Sequence, residues 1–306
     1  MDVSPLRTDY RPRRALDLAA TAGVFQRGPG DPAQRSHAGV IWRATRTPLG
    51  AATTALAQRA DGRVSIACWG PGAEWAIAQA PALCGAEDQP DPFDAARHPL
   101  IDATYRRNRG LLIARTDLVL DAVAQAIIEQ KVTLRQAFGA WRRLVTRFGS
   151  PAPGPVPFPL VVPPSASGWR RIPSWAWHAA GLEPPQARTL VQTATRADSL
   201  IRAINAAPPD GQDAILQSLR GIGAWTSAEV RTRAFGDPDA VAVGDFHLSH
   251  HVGYALTGSR TDDDGMLALL EPWRGQRQRV IRLILRSGAT GPRRGPRLHI
   301  EDHRSR

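Results

Sequence analysis

The chain has 306 residues, 42% of them hydrophobic, and a formal net charge of +11; this excludes global disorder and leaves room for one large domain or two smaller ones. No apolar run approaches the ~20 residues that cross a bilayer, and the opening MDVSPLRTDYRPRRALDL lacks the apolar core of a secretory signal, so a cytoplasmic, nucleoid-associated monomer is expected. A sequence pI of about 11.1 points to a polyanionic partner, DNA or RNA first, although an arginine-rich genomic composition also contributes to it.

Residues 1–37 are rich in arginine and proline and read as an irregular arm with one short helix at 15–22. From residue 38 the segments VIWRATRT, ATTALAQR and RVSIACW carry β-branched and aromatic residues, separated by the turn signals PLG and ADG. They predict a small antiparallel meander over 38–70, with three or four strands. A helix in PGAEWAIAQAPALCG backs it, started by Pro71 and stopped by Gly85. Cys68 and Cys84 are the only cysteines, too few for an iron–sulfur cluster or a four-cysteine zinc site; both read as buried thiols.

AEDQPDPFDAARHP reads as a linker, and every element predicted beyond it is helical. An apolar-faced stretch at 117–148 divides into two helices near 130–133. The proline-rich 151–164 suits neither helix nor strand and reads as a surface excursion. Further helices are predicted at 165–171, 174–180, 185–197, 200–205, 211–219, 248–256, 263–270 and 275–285. The expected fold class is therefore α+β. It comprises an arm and small antiparallel β-sheet domain over 1–90, an all-helical domain over 95–288, and a loosely ordered basic tail over 289–306.

One stretch stands out, at 219–248: LRGIGAWTSAEVRTRAFGDPDAVAVGDFHL. Gly221 and Gly223 flank Ile222 between two predicted helices. Such glycines permit positive φ and leave the backbone unshielded, so amides at the next helix N-terminus can grip a phosphate. An ordinary tight interhelical turn has the same local signature. About twenty residues later Asp245 stands in an otherwise apolar, uncharged segment. Placed just ahead of FHLSHHVGYAL, it also reads as a helix N-cap.

LRGIGAWTSAEV resembles the helix-hairpin-helix of the HhH-GPD DNA glycosylase superfamily, and GDPDAVAVGDFHL resembles the segment ending in that superfamily's catalytic aspartate. Within the superfamily the chain is most similar to the bacterial 3-methyladenine DNA glycosylase II family, alkylpurine glycosylases with an antiparallel sheet domain ahead of their helices. DAVAQAIIEQKVTLRQAFGAWRRLVTRFG is similar to that family's early helix pair, and PWRGQRQRVIRLIL to its last helix. The resemblance implies hydrolysis of the N-glycosidic bond of an alkylated, 3-methyladenine-like purine flipped out of double-stranded DNA, a step of base excision repair. It implies no cofactor beyond the monovalent cation that the superfamily's hairpin can hold through backbone carbonyls.

Carried over residue by residue, the resemblance makes Asp245 the catalytic carboxylate, which stabilises the oxocarbenium ion and orients or deprotonates water. Trp225 and Glu229 fall in the base pocket. Arg220, Gly221, Ile222, Gly223 and Thr226 fall on the DNA backbone. Gln130 and Lys131 fall in the turn whose tip wedges into the gap left by the flipped nucleotide. Trp225 stands where bifunctional members carry a Schiff-base lysine, which implies a monofunctional enzyme. Its indole either stacks on the base or belongs to the core.

Several positions depart from the family's pattern. Lys131, the single lysine among 39 basic residues, replaces an apolar wedge and reads equally as a phosphate contact, a contact to the orphaned base or a solvated loop residue. Gln130 reads equally as a helix-end hydrogen-bonder. Glu229 stands where the family offers an aromatic, VIRLILRSG lacks an expected tryptophan, and Arg220 replaces a proline. These departures leave the preferred lesion open. They also leave two other functions: a non-catalytic helix-hairpin-helix DNA-binding protein, and a glycosylase/lyase using Lys131 as nucleophile. His247, His250 and His251 have a spacing that suits a metal but no supporting cysteines or carboxylates, so they read as ordinary helix histidines. The run Asp262-Asp263-Asp264 reads as a solvated helix start, and no metal site is expected.

Overall fold

The computed structural model describes residues 4–90, 92–289 and 291; apart from residues 289 and 291, the predicted tail lies outside the described residues. Five strands form one antiparallel sheet in the order β1-β5-β4-β3-β2. They are β1 (Leu6–Tyr10), β2 (Gln34–His37), β3 (Val40–Thr47), β4 (Gly50–Gln58) and β5 (Val64–Trp69). The last three are the predicted meander. β2 turns into β3 through Ala38 and Gly39, with φ of 49° and 77°, the positive pair that a two-residue hairpin with the sheet's own twist requires.

β1 and β2 correct the expectation of an irregular arm. Four of the five β1 residues are exposed, so no apolar alternation marks the strand. The ladder to β5 makes it one, with Leu6 opposite Cys68 and Tyr10 opposite Val64. Between these edge strands the helix α1 (Leu18–Ala22) is capped by Asp17, which accepts from the Ala20 amide at 2.9 Å.

One sheet face is covered by α1 and α2 (Ala73–Leu83), with Leu18, Phe25, Ile41, Leu56, Ile66 and Leu83 buried between them. On the other face Trp42 stacks on Trp69 at 5.8 Å, and Leu160 and Val162 bury against Ala44. The proline-rich 151–164 is therefore no surface excursion. Its ends pair as β6 (Ser150–Pro151) and β7 (Val161–Val162), and the Val161 amide donates to the Pro32 carbonyl at 2.8 Å. Proline is tolerated there because a short edge strand has N–H positions outside the ladder.

The helices are α3 (Pro99–Arg107), α4 (Val119–Ile128), α5 (Leu134–Phe148), α6 (Ala166–Arg170), α7 (Ser174–Ala180), α8 (Pro184–Thr195), α9 (Ala197–Ala206), α10 (Gln212–Gln217), α11 (Ala224–Val230), α12 (Leu248–Thr257), α13 (Asp263–Leu270) and α14 (Arg277–Ser287). Of these α3 was not anticipated; Pro99 opens it, His98 caps it, and its Ile101 is fully buried. α5 begins with a capping box between Thr133 and Gln136. None of the described helices is long and apolar enough to cross a membrane.

Two apolar cores organise these helices. One gathers Val123, Ile127, Trp141, Trp169, Leu190 and Val230; the other gathers Ile101, Ala228, Val252, Met266, Trp273 and Val280. α11 belongs to both, with Val230 in the first and Ala228 in the second. It runs on through a π-helical turn, residues Arg231–Phe235, a feature frequent at functional sites. The seam between the two cores therefore passes along α11.

Candidate active site

The hairpin between α10 and α11 is fixed from within. Gly221 has φ +91°, and a Cβ there would come within 2.2 Å of the Thr189 hydroxyl on α8, so backbone conformation and packing both demand glycine. Gly223 is extended, and a Cβ on it would meet nothing within 4 Å. Its side of the turn is open, beside helix amides that have no intrahelical acceptor.

The structure corrects three side-chain assignments here. Ile222 is 4% exposed and packs in the first core, so only its backbone can face outward. Thr226 is buried as well. Gln130 spends its amide on the hairpin, donating to the Gly221 carbonyl at 2.8 Å and the Thr226 hydroxyl at 2.9 Å. It is the helix-end hydrogen-bonder, and it braces the α4–α5 turn against the hairpin. Gln186 adds a second brace by donating to the Gln130 carbonyl at 2.9 Å. Arg220 and Lys131 are exposed on this side. Lys131 takes φ +54°, a left-handed conformation that non-glycine residues adopt only under constraint.

Asp245 precedes α12 and meets the start of α11 at the seam. Its Oδ1 accepts from the amides of His247 and Leu248, both at 2.9 Å; His247 is the N-cap residue of α12, so Asp245 lies two residues ahead of the expected cap position and ties down the turn that enters the helix. Its Oδ2 accepts from the Trp225 indole N–H at 3.1 Å. Trp225 is half-buried against the second core. Asp245 thus ties down the turn into α12 and is oriented by Trp225, and Trp225 packs against the second core with its polar edge spent on the carboxylate. The preceding glycine, Gly244, has φ +89° and is tied by its amide to Asp263 at 2.9 Å.

Glu229 sits one turn beyond Trp225 and ends a chain of buried charges. Arg233 Nη2 donates to Glu229 and to Glu129, each at 2.6 Å, and Arg27 Nη1 reaches Glu129 at 3.1 Å. The second terminal nitrogen of Arg233, Nη1, is buried without a hydrogen-bond partner. Burial pushes the Glu229 carboxyl above its ordinary range; Arg233 and Arg27 pull it down, while Glu129 and Asp245 add to the rise. Burial also opposes ionisation of Glu129, but Arg233 and Arg27 outweigh it and hold that carboxyl low.

Arg27, Glu129 and Arg233 were missed from the sequence. The available signal was a lone acid, Glu129, closing the apolar run DAVAQAII. Two exposed apolar side chains were missed as well: Phe246, 75% exposed and next to Asp245, and Leu134, 64% exposed at the start of α5, just after the turn that carries Lys131. His247 and His251 stack at 5.9 Å and His250 meets the Thr261 carbonyl at 2.8 Å. Among the described residues no group of three His, Cys, Asp or Glu side chains is placed to hold a metal. Asp262 caps α13 by accepting from the Gly265 amide.

A five-stranded sheet ahead of two helical cores, with a glycine hairpin and an aspartate at their seam, is a fold shared with solved DNA glycosylases. A 3-methyladenine DNA glycosylase from Archaeoglobus fulgidus superposes with a TM-score of 0.77 over 92% of this chain and 98% of its own, at 17% identity. An 8-oxoguanine glycosylase/lyase from Clostridium acetobutylicum, in complex with double-stranded DNA containing cytosine opposite 8-oxoguanine, reaches 0.67 over 94% of this chain and 98% of its own, at 11% identity. The Schizosaccharomyces pombe 3-methyladenine DNA glycosylase in complex with abasic DNA reaches 0.51 over 63% of this chain and 91% of its own, at 13% identity. At these identities the likeness is one of fold. No family model matches the chain, and no curated protein does.

Proposed function

We propose that the protein is a monofunctional DNA glycosylase that releases alkylated purines from double-stranded DNA. The observation that carries this reading is the Trp225–Asp245 hydrogen bond of 3.1 Å, which holds a carboxylate at the seam beside a glycine hairpin. In the reaction the C1′–N bond breaks with its electron pair going to the base. Asp245 faces the oxocarbenium ion left on the sugar, and water attacks C1′ with loss of its proton, leaving an abasic site. An alkylated purine already carries positive charge and departs as a neutral base.

DNA as partner is supported by the open face of Gly223, the exposed Arg220 and Lys131, and a net charge of +11. A monovalent cation at the hairpin would have to share the Gly221 carbonyl with Gln130; only backbone oxygens there suit it, and the reaction as written does not need it.

The second reading is a glycosylase/lyase, and Lys131 favours it: this single amine projects from a strained turn braced to the hairpin. Trp225 argues for the first reading, because no amine lies on α11 to attack C1′.

One assay separates the readings. Duplex carrying methylated purines is incubated with the protein, and free base and strand breaks are measured separately. Asp245→Asn is expected to slow base release roughly 100- to 1,000-fold while duplex affinity at fixed salt is retained. Binding without release by the unaltered protein would sink the glycosylase assignment. A borohydride-trapped adduct that disappears in Lys131→Ala would transfer it to the lyase.

A further inference from the structure

The four charged groups that run from the sheet side to α11 are unevenly covered. The side chains of Arg27, Glu129 and Arg233 are 10%, 6% and 10% exposed, whereas that of Glu229 is 26% exposed. The chain is sealed at one end and opens only at Glu229. One Glu229 oxygen is committed to Arg233 at 2.6 Å, which anchors that end of the carboxylate. Glu229 follows Trp225 by four residues, so the two share a face of α11, and Trp225 in turn holds Asp245. The result is a carboxylate anchored by Arg233 on the face of α11 that also meets Asp245. Asp245 already explains the bond cleavage; Glu229 has no part in it.

A carboxylate only accepts hydrogen bonds. A purine flipped against it is read along its Watson–Crick edge. Guanine presents two adjacent donors on that edge, N1–H and the N2 amino group, and both can be satisfied by a carboxylate. Adenine presents the N6 amino group beside N1, which is an acceptor and faces the carboxylate as one lone pair against another. Hypoxanthine keeps N1–H and lacks the second donor.

We infer that Glu229, oriented by Arg233, is the specificity-determining residue of this site and selects guanine-derived lesions over adenine-derived ones. The inference rests on the glycosylase reading above and names the substrate class within it. Two lesions share the required edge, 7-methylguanine and 8-oxoguanine. The paired donors act on the base whether the damage lies at N7 or at C8, so the edge is the common determinant. Arg233 is a positioning residue in this scheme, and Glu129 and Arg27 hold Arg233.

The test compares release from methylated duplex DNA, where 7-methylguanine and 3-methyladenine are quantified together, with release from defined duplexes containing 8-oxoguanine or hypoxanthine. The guanine-type base is expected to be favoured, and Glu229→Gln is expected to lower the ratio of guanine-type to adenine-type release on the order of 10- to 100-fold. A thermal melt of the variant checks that its fold is intact. A purely structural role for Glu229 would lower both rates and leave the ratio where it was. That result, or a native preference for 3-methyladenine, overturns the inference. Binding supplies a readout that needs no chemistry: Asp245→Asn protein should bind guanine-lesion duplexes more tightly than the hypoxanthine duplex, and the added Glu229→Gln change should erase the difference. Absence of base release with this preference intact would remove the glycosylase reading and keep Glu229 as a reader. Release of 8-oxoguanine alone would keep Glu229 and replace the alkyl lesion. Equal binding of all duplexes overturns the Glu229 assignment whatever the rates.

Discussion

The two ends of α4 each bury an acid, with opposite outcomes. At its start Asp121 is 6% exposed and at its end Glu129 is 9% exposed. Burial pushes the Asp121 carboxyl up to about 6, and Arg43 and Arg46 pull it back only in part. Neither arginine is among the ion pairs formed with Asp121 by the described residues, whereas Glu129 touches Arg233 at 2.6 Å and Arg27 at 3.1 Å and is held low. The helix dipole favours the reverse, an anion at the start and not at the end. Contact with guanidinium groups, and not depth or position on the helix, decides which acid is held low. At Glu229 burial raises the carboxyl, while Arg233, shared with Glu129, and Arg27 pull it down.

Breaking the paired end should cost most. Glu129→Ala leaves Arg27 buried without its carboxylate and Arg233 with Glu229 alone, and is expected to destabilise the fold by about 3–5 kcal/mol in urea unfolding. Glu129→Gln, which keeps volume and one acceptor, should cost less; equal losses would show that packing and not charge is at stake.

The other end should respond with the opposite sign. The Asp121 carboxyl titrates at about 6 in the folded chain against an ordinary 3.8, so the folded state binds its proton more tightly. That contribution is complete below about pH 4 and is lost as pH rises through about 6. Asp121→Asn cannot ionise and should gain on the native protein across that window, by at most about 3 kcal/mol at pH 7. A stability difference independent of pH between 4 and 7 would dissolve the contrast between the two ends.

The smallest effect concerns groups that burial simply keeps neutral. Cys68 and Cys84 lie in the sheet core, with burial pushing their thiols up to about 11 and about 12. Both should resist iodoacetamide at pH 8 in the folded protein and react once it is unfolded. Rapid labelling of the native chain would show that the sheet layer opens readily.

The legible parts of the sequence were those where a local pattern matches a local cause. α13 at 263–270, the split of the 117–148 stretch and the glycine hairpin all follow from caps, breakers and apolar spacing. β1 was illegible because its ladder, not its own residues, makes it a strand. The proline-rich 151–164 was misread because composition does not show that Leu160 and Val162 find the second face of the sheet. At the site, Asp245 and Trp225 were singled out, but their hydrogen bond was not, and Ile222, Thr226 and Gln130 turned inward to build the hairpin. The Arg233–Glu129 pair joins residues 104 apart in sequence, a separation over which periodicity carries no information.

Three donors hold Asp245 before any ligand arrives: the His247 and Leu248 amides on one oxygen and the Trp225 indole on the other. A carboxylate in water must rearrange its solvent when a cation forms beside it. Here the surrounding dipoles are already aligned by the start of α12 and by a ring packed against the core, so in the proposed reaction little reorganisation would remain when charge develops. Trp225 sets the attitude of the acid from twenty residues away, and in that reaction loss of its N–H would show as a softened, mis-aimed carboxylate and not as a missing one.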